Sequence, residues 1–337
     1  MRLAIHNTKS SFAERWIAYC EEKRIPYKIV NCHANDIVQQ LADCDALLWH
    51  HQQGGPKDIL FAKQLLFSLE QSGKKVFPDF NTGWHFDDKI GQKYLLEALN
   101  ITELVPTWVF YNKADALKWA DSVSFPKVFK LRGGAASQNV RLVRTKAMAR
   151  KLIDRAFSKG FKAYDAFGSL KERIRKYRLG KANAREVVKG MVRLIVPPPY
   201  AQIMGNESGY IYFQEFMPGN DSDTRIIVID GKAFAIKRMV RKNDFRASGS
   251  GHIVHDMKQI DLRCVKLAFA FTEKLKAQCV AYDFVFDAKN NPLLIEISYG
   301  FAPAVYEACP GFWDRQMNWH EGKFNPYGWM VDAVCKE

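Results

Sequence analysis

The chain has no long apolar run, and no stretch approaches the length of a membrane-spanning helix. It has no C-x-x-C pair either. Its seven cysteines (Cys20, Cys32, Cys44, Cys264, Cys279, Cys309 and Cys335) are scattered and odd in number. Neither a zinc cage nor a disulfide framework is supported, so they read as small apolar residues. No G-x-G-x-x-G follows the first strand signal, which leaves a dinucleotide site there without support, and the P-loop pattern G-x-x-x-x-G-K-[ST] is missing. Internal repeats and low-complexity segments are absent. The opening Met1-Arg2-Leu3-Ala4-Ile5-His6-Asn7 turns polar too soon for a secretion signal. A reducing cytoplasm is therefore the expected location.

Acidic residues are scarce in one place. Between Arg144 and Arg193 there are sixteen Lys/Arg against Asp154, Asp165, Glu172 and Glu186, a local +12 in a chain whose net charge is +14. Such a block suits an anionic partner: an acidic polymer, a phosphorylated carrier, anionic lipid or nucleic acid. For a charge run alone, a solvated helix face is the simpler explanation. The segment contains no motif that reads DNA or RNA bases, so no specific nucleic acid is expected.

The 337 residues, 47% of them hydrophobic, are enough for substantial cores in two or three lobes. Up to about residue 80, strand and helix signals alternate. Strands are expected at Arg2–His6, Tyr27–Asn31, Ala46–Trp49 and Lys75–Phe77, and helices at Ser10–Lys23, Ile37–Leu41 and Asp58–Ser72. This is the pattern of a parallel sheet with helices on both faces. His50-His51-Gln-Gln-Gly-Gly follows the third strand, at a position where open α/β sheets bind ligands, but a loop histidine is more often incidental and no metal is expected there. A helix is expected over Asp87–Asn100. Strands follow at Phe125–Lys130 and Val140–Val143, then a basic helical stretch closed by Pro197-Pro198-Pro199. Further strands are expected at Gly209–Phe216, Arg225–Ile229 and Ala233–Val240, with Asp230-Gly231 as a tight turn. Leu262–Leu275 reads as a helix. The tail from Cys309 to Trp329 is rich in aromatics.

Two acids interrupt strand-like runs near the C-terminus: Asp283 in Cys279–Phe286 and Glu296 in Pro292–Ser298. The intervening Asp287-Ala288-Lys289-Asn290-Asn291 is turn chemistry. A hairpin centred between Lys289 and Asn290 sets Asp283 opposite Glu296, with Ser298 one pleat further on the same face. Like charges facing each other destabilise a sheet, so compensation is required. A hard cation such as Mg²⁺, bridging carboxylates to phosphates, is one solution. A half-exposed hairpin with solvated acids is the other. Upstream, Lys130 ends a strand and a small-residue loop follows, from Arg132-Gly133-Gly134 to Ser137. Backbone N–H groups in such a loop can cradle phosphate, though an ordinary turn has the same composition.

The order of these motifs is more specific than any one of them. Asp88-Lys89, Pro106-Thr107, Phe125–Lys130 with its loop, Tyr212–Phe216, Asp221–Arg225, Lys237-Arg238, Asn243–Arg246, Tyr282-Asp283-Phe284 and Glu296-Ile297-Ser298 occur in sequence. Together they resemble the ATP-grasp superfamily of carboxylate–amine ligases, which includes glutathione synthetase, D-alanine–D-alanine ligase and the glutamate-adding ligases. The resemblance implies an N-terminal α/β lobe (1–84) and an ATP-grasp domain (85–337) of two α+β subdomains. A lid would cover 107–215, with a basic insertion at about 144–199. It also implies ATP and Mg²⁺, and an acyl-phosphate route to an amide.

By position, the resemblance gives Lys89 and Lys130 to the nucleotide phosphates and Gly133, Gly134 and Ser137 to the loop over them. Glu215 and Phe216 become the adenine hinge, and Asp223 (or Asp221) the ribose carboxylate. Arg238 would contact the γ-phosphate or acyl-phosphate, and Arg246 with Ser248–Gly251 the reacting acid. Asp283, Glu296 and Ser298 would hold the metal; the family usually has asparagine where this chain has Ser298. Lys237 and Arg238 must point to opposite faces of their strand. Parts of the wording also resemble ATP-grasp proteins of bacterial surface-polysaccharide synthesis. That implies a uronic acid and an amino acid or amino alcohol as substrates. The tail aromatics (Trp313, Trp319, His320, Tyr327 and Trp329) have faces that suit sugar rings, but packing against the core is the expected role for them; a cytoplasmic setting at the inner membrane face is the accompanying expectation. A nucleotide-binding protein without ligase activity, its basic segment on a polyanion, is the alternative.

Overall fold

In the computed structural model, residues 1–9, 11–133, 139–178, 180, 182–241, 244–247, 249 and 251–336 are described. The chain forms two compact units. Met1–Phe86, Tyr94–Leu104 and Met217–Glu337 make the first; Asp87–Lys93 and Val105–Phe216 make the second.

The first unit opens with strands β1 (Leu3–His6), β2 (Tyr27–Val30), β3 (Ala46–Leu48) and β4 (Lys75–Phe77). They alternate with helices α1 (Ala13–Lys23), α2 (Ile37–Gln40), α3 (Pro56–Gln71) and α4 (Phe80–Gly83). The sheet is parallel in the order β2-β1-β3-β4, as the β/α alternation requires. Buried parallel strands read as continuous apolar runs, and Leu3-Ala4-Ile5 and Ala46-Leu47-Leu48 do so. Leu3, Ile5 and Leu48 face α1 through Trp16 and Cys20, whereas Ala4, Leu47 and Val76 face Ala62, Leu66 and Leu69 of α3. Helix α5 (Lys89–Ala98) crosses the division between the units.

The second unit contains β5 (Thr107–Phe110), β6 (Lys127–Lys130), β7 (Arg141–Val143), β8 (Phe161–Lys162), β9 (Asn206–Glu207) and β10 (Ile211–Glu215). Its helices are α6 (Lys113–Ser122), α7 (Lys146–Ala156), α8 (Ala166–Arg178), α9 (Ala184–Ile195) and α10 (Pro199–Met204). An antiparallel sheet in the order β5-β10-β6-β7 packs one face on α6 and α7. Phe129 and Phe213 meet Ala116, Ala120, Ala149 and Ile153 there. Side chains start both helices: Asn112 accepts from Ala114 N–H and Thr145 from Met148 N–H, as N-caps do.

The chain then returns to the first unit with β11 (Ser222–Ile229), β12 (Lys232–Met239), β13 (Ile253–Val254), α11 (Leu262–Leu275), β14 (Cys279–Phe286) and β15 (Pro292–Ser298). A hairpin of β16 (Gly311–Asp314) and β17 (Trp319–Glu321) and the helix α12 (Pro326–Cys335) complete it. The main sheet runs β15-β14-β11-β12-β16-β17. Asp230 (φ 48°) and Gly231 (φ 72°) close the β11–β12 turn. Two positive φ values are what a two-residue hairpin of matching twist needs.

One face of this sheet buries Ile226, Val228, Tyr282 and Phe284 against Val265, Ala268 and Phe269 of α11. The other buries Ile227, Ile229, Phe234, Ile236 and Ala281 in the same cluster as Leu3, Ile5, Trp16 and Phe77. Each fully buried Ile or Phe contributes about 1.5–3 kcal/mol. The N-terminal lobe and the main sheet therefore share one core, although the sequence reading set a boundary at residue 84. The aromatic tail belongs to that core: Tyr327 is buried in it, and Trp329, Phe312 and Phe324 pack against it. Trp313 is buried on the α11 side, with Trp319 against it at 4.8 Å. These rings are packing, so a sugar platform loses most of its surface. Six of the cysteines are buried and all seven are free. Among the described residues no helix is long and apolar enough to cross a membrane.

His50 and His51 are buried where β3 ends. The His50 ring stacks on Phe12 at 3.6 Å and its Nδ1 accepts the Phe12 N–H. The Tyr299 hydroxyl donates to the His51 carbonyl at 2.7 Å. Burial pushes His50 down to about 3, and burial with Lys63 nearby lowers His51 as well. Both are neutral structural residues. A lowered folded pKa means that the unfolded chain takes up the proton first as pH falls below about 6.5. Stability should therefore drop from pH 7 toward pH 4. His50→Asn keeps an acceptor for Phe12 but removes the titration. Urea unfolding of this variant should show a shallower dependence on pH by about 1.4 kcal/mol per pH unit. An unchanged slope would contradict the assignment.

Candidate active site

Asp283 and Glu296 are direct cross-strand partners. The route to that register differs from the one the spacing suggests. Phe286 pairs with Pro292 and Phe284 with Leu294, so the turn is centred on Lys289, half a residue earlier than expected. A bulge at Ile295 then restores the register. Without the extra residue, Glu296 would continue the inward row of Pro292 and Leu294. With it, Ile297 takes the inward place beside Leu294, and Glu296 and Ser298 turn to the opposite face.

That face is apolar along most of the sheet and ionic at one end. Alternation along β11 puts Asp223 and Arg225 in line with Ile227 and Ile229, and along β12 puts Arg238 in line with Phe234 and Ile236. Across the strands Asp223 pairs with Arg238, and Arg225 with Asp283. Arg225 grips Asp283 through Nε at 2.5 Å and Nη2 at 2.7 Å. Arg238 grips Asp223 through Nε at 2.6 Å and Nη2 at 2.7 Å, and its Nη2 also lies 2.8 Å from Asp283 Oδ2. The buried Tyr306 hydroxyl lies within electrostatic reach of Arg225 and Arg238. Burial alone would raise the Asp283 carboxyl, but Arg225 and Arg238 outweigh it and hold the group well below the usual carboxylate range. Burial pushes Asp223 the other way, above its ordinary value, despite Arg238.

Two guanidiniums thus compensate the Asp283–Glu296 opposition, so that opposition does not by itself require a metal. Sequence reasoning missed Arg225. The signal was its two-residue spacing from Asp223; what was lacking was the placement of β11 between β12 and β14. Asn220 was missed as well. Its side chain accepts from Phe286 N–H and donates to Phe286 O, both at 2.9 Å. It acts as a substitute strand partner that anchors the entry to β11. Lys237 lies on the face opposite Arg238, as strand phase demands.

Three carboxylates and two guanidiniums leave this face with one net negative charge. Among the described residues no group of three or more His, Cys, Asp or Glu could hold a metal. Asp283 and Glu296 have the donor chemistry of an ion that takes one or two carboxylates and completes its shell with phosphate and water, which is the habit of Mg²⁺, although both Asp283 oxygens already accept from Arg225 and Arg238, so a metal would have to share them. The Ser298 hydroxyl donates to Gly300 O at 3.0 Å and accepts from Gly300 N–H at 3.2 Å. It shapes the turn after β15.

In the second unit, Lys130 is buried on the sheet face away from α6 and α7, and donates to Gln214 Oε1 at 2.6 Å. Gln214 is in turn held by Thr107 at 3.1 Å. Lys127 points to the other face and binds both oxygens of Glu215, at 2.8 and 2.7 Å. The Glu215 carboxylate is therefore a lock at the end of β10, which leaves only backbone to any adenine hinge. The compact units divide just after Phe216. The buried Lys89 donates its N–H to Arg132 O at 3.0 Å, and Asp88 caps α5 through Ile90 and Gly91 N–H. The start of α5 is thereby tied to the end of β6. Gly133 is buried near Met204, Asp87 and Glu207. Gly134 and Ser137 lie outside the described residues.

The remaining candidates return to the first unit. The Arg246 guanidinium is held by Asp244 at 2.9 and 2.7 Å; Ser248 and Ser250 near it lie outside the described residues. Asp221 is exposed, whereas both Asp223 oxygens are engaged by Arg238.

Residues 199–302 match the RimK-like ATP-grasp domain. The whole chain is similar to the RimK-domain ATP-grasp protein of Sphaerobacter thermophilus, at 13% identity, with 100% of each chain covered and a TM-score of 0.57. It is similar to a D-cycloserine synthetase at 14% identity, covering 99% of this chain and 98% of that one, with a TM-score of 0.60. The D-alanine–D-alanine ligase of Bacillus anthracis, solved with ATP, is 13% identical, with 99% and 96% covered and a TM-score of 0.54. No curated protein matches in sequence. The chain has the ATP-grasp fold, the fold of these ATP-dependent ligases. The stretch from 199 to 302 that matches the RimK-like ATP-grasp domain contains Asp223, Arg225, Arg238, Asp283 and Glu296.

Removing one partner of a buried ion pair costs about 3–5 kcal/mol, whereas replacing both by apolar residues is often neutral. Arg225→Leu should lower the free energy of urea unfolding by that amount. Arg225→Leu with Asp283→Leu should recover most of it. A double variant as unstable as the single one would show that the pair is not the unit described.

Proposed function

We propose that the chain is an ATP- and Mg²⁺-dependent ligase that joins a carboxylate to an amine through an acyl-phosphate. The observation that carries this reading is the Asp283–Glu296 pair beside Arg225 and Arg238 at one end of a sheet face, inside the stretch that matches a RimK-like ATP-grasp domain. Buried ion networks add little to stability, and strongly shifted carboxyls concentrate at functional sites.

On this reading a carboxylate oxygen attacks the γ-phosphorus of ATP, and the bond to the bridging oxygen breaks to release ADP. The amine nitrogen then attacks the acyl carbon, phosphate leaves and the nitrogen loses a proton. Asp283 and Glu296 would hold Mg²⁺, which would supply charge neutralisation for the triphosphate. Arg238, kept in place by Asp223, offers N–H donors where negative charge develops, and Arg225 fixes the Asp283 carboxylate. Lys89 and Lys130 neutralise nucleotide phosphates, with Gly133 and the following loop to Ser137 beside them. Backbone at Glu215–Phe216 reads the adenine edge. Asp221, exposed, suits the ribose better than Asp223. Arg246, positioned by Asp244, holds the substrate acid. Phosphoryl transfer of this kind needs positioning and electrostatics and no protein nucleophile, consistent with the buried cysteines.

Phosphate release from Mg²⁺-ATP, screened over acids and amines, should require one of each. Glu296→Gln should lose essentially all turnover while keeping its fold; wild-type turnover in that variant would overturn the metal assignment. Lys130→Ala should weaken ATP binding by about 1–3 kcal/mol, the loss of a charged partner. Calorimetry showing unchanged affinity would remove Lys130 from the site.

A further inference from the structure

Helix α9 carries an apolar stripe that no described residue of its own unit covers. Val188, Met191, Val192 and Ile195 fall at i, i+3, i+4 and i+7, one face of a helix, and are 53%, 48%, 54% and 86% exposed. The opposite side is the packed one. Gly190 is buried against α8, where an added Cβ would meet Arg173 Cδ at 2.8 Å and Leu170 Cδ1 at 3.0 Å. Nearby, Phe167, Tyr177 and Val196 are also more than half or about half exposed, at 78%, 50% and 51%.

Basic residues flank the stripe. Arg185 and Lys189 are exposed along one side of it, and Lys171, Lys176 and Arg178 are exposed on α8. From Ala166 to Met204 there are nine Lys/Arg against Glu172 and Glu186, a net +7. Those two acids are already paired internally: Glu186 with Arg173, and Glu172 with Arg175 at 2.8 Å. The pairs pin the helices and leave the other cations facing outward.

A second copy of the chain would set +7 against +7. A nucleic acid would satisfy the cations and leave the apolar stripe in water. An anionic bilayer satisfies both: headgroups meet the Lys/Arg flank, and the acyl boundary takes the Val/Met/Ile stripe. We propose that the α8–α9 surface docks on an anionic lipid bilayer, lying in the interface. The 12 residues of α9 are too few to span one. None of the stripe and flanking residues is among those assigned to nucleotide and metal, so the proposal stands or falls independently of the ligase reading.

Flotation of the full chain with vesicles of phosphatidylcholine and phosphatidylglycerol (7:3), against pure phosphatidylcholine, tests it. Binding should require phosphatidylglycerol. The variant Val188→Gln/Met191→Gln/Val192→Gln/Ile195→Gln should bind at least tenfold more weakly with an unchanged melting temperature. Arg185→Gln/Lys189→Gln should also weaken binding. Absence of binding, equal binding to both vesicles, or undiminished binding by the quadruple variant would overturn the proposal. So would a random oligonucleotide that binds wild type and quadruple variant alike and more tightly than the vesicles. Self-association of wild type that the quadruple variant abolishes would point instead to a second copy.

Discussion

The ion network of Asp283, Arg225, Arg238 and Asp223 constrains everything around it. Each charge lies on the sheet face that elsewhere holds Ile227, Phe234 and Ala281 in the core. Desolvating such groups is costly unless every partner is in place. The register of three strands must therefore be held within a fraction of a residue. The Ile295 bulge, the Asp230-Gly231 turn and the Asn220–Phe286 bonds are the devices that hold it.

The same constraint links the N-terminal lobe to the chemistry. Tyr306 sits between Arg225 and the aromatic cluster, 5.1 Å from Phe301, which in turn lies 4.8 Å from Phe12. Phe12 stacks on His50, and Tyr299, next to Ser298, bonds to the His51 carbonyl. A rigid aromatic core thus backs the ionic end of the sheet. The histidines contribute as neutral packing groups, which is why a pair at a strand end could suggest a ligand from sequence yet be structural.

Much of this was legible in the sequence, for local reasons. The β/α alternation of the first 80 residues follows from apolar runs and short turns, and Leu262–Leu275 was bounded to the residue because an Asp cap precedes a strongly amphipathic stretch. The two strands and the turn between Asp283 and Glu296 were legible from apolar runs separated by turn residues, but their opposition was expected from a turn centre half a residue away from the one observed. What was hidden depended on sheet order. Arg225 could be assigned to Asp283 only once β11 was known to lie beside β14. The Lys127–Glu215 lock required β6 and β10 to be neighbours. The bulge at Ile295 left no sequence mark, and the turn position and the bulge offset each other, so the expected register was reached by a different path. The +12 segment was visible as charge, but the exposed stripe on α9 emerged only when Gly190 showed which side packs.

The central claim is that the Asp283–Glu296 face carries a metal–nucleotide complex. Its most direct test is calorimetric binding of a non-hydrolysable ATP analogue, with Mg²⁺ and with EDTA, to the wild type and to Asp283→Asn. The account predicts tight binding to the wild type only with Mg²⁺, and loss of that dependence in the variant. Equal affinity in all four measurements would contradict it.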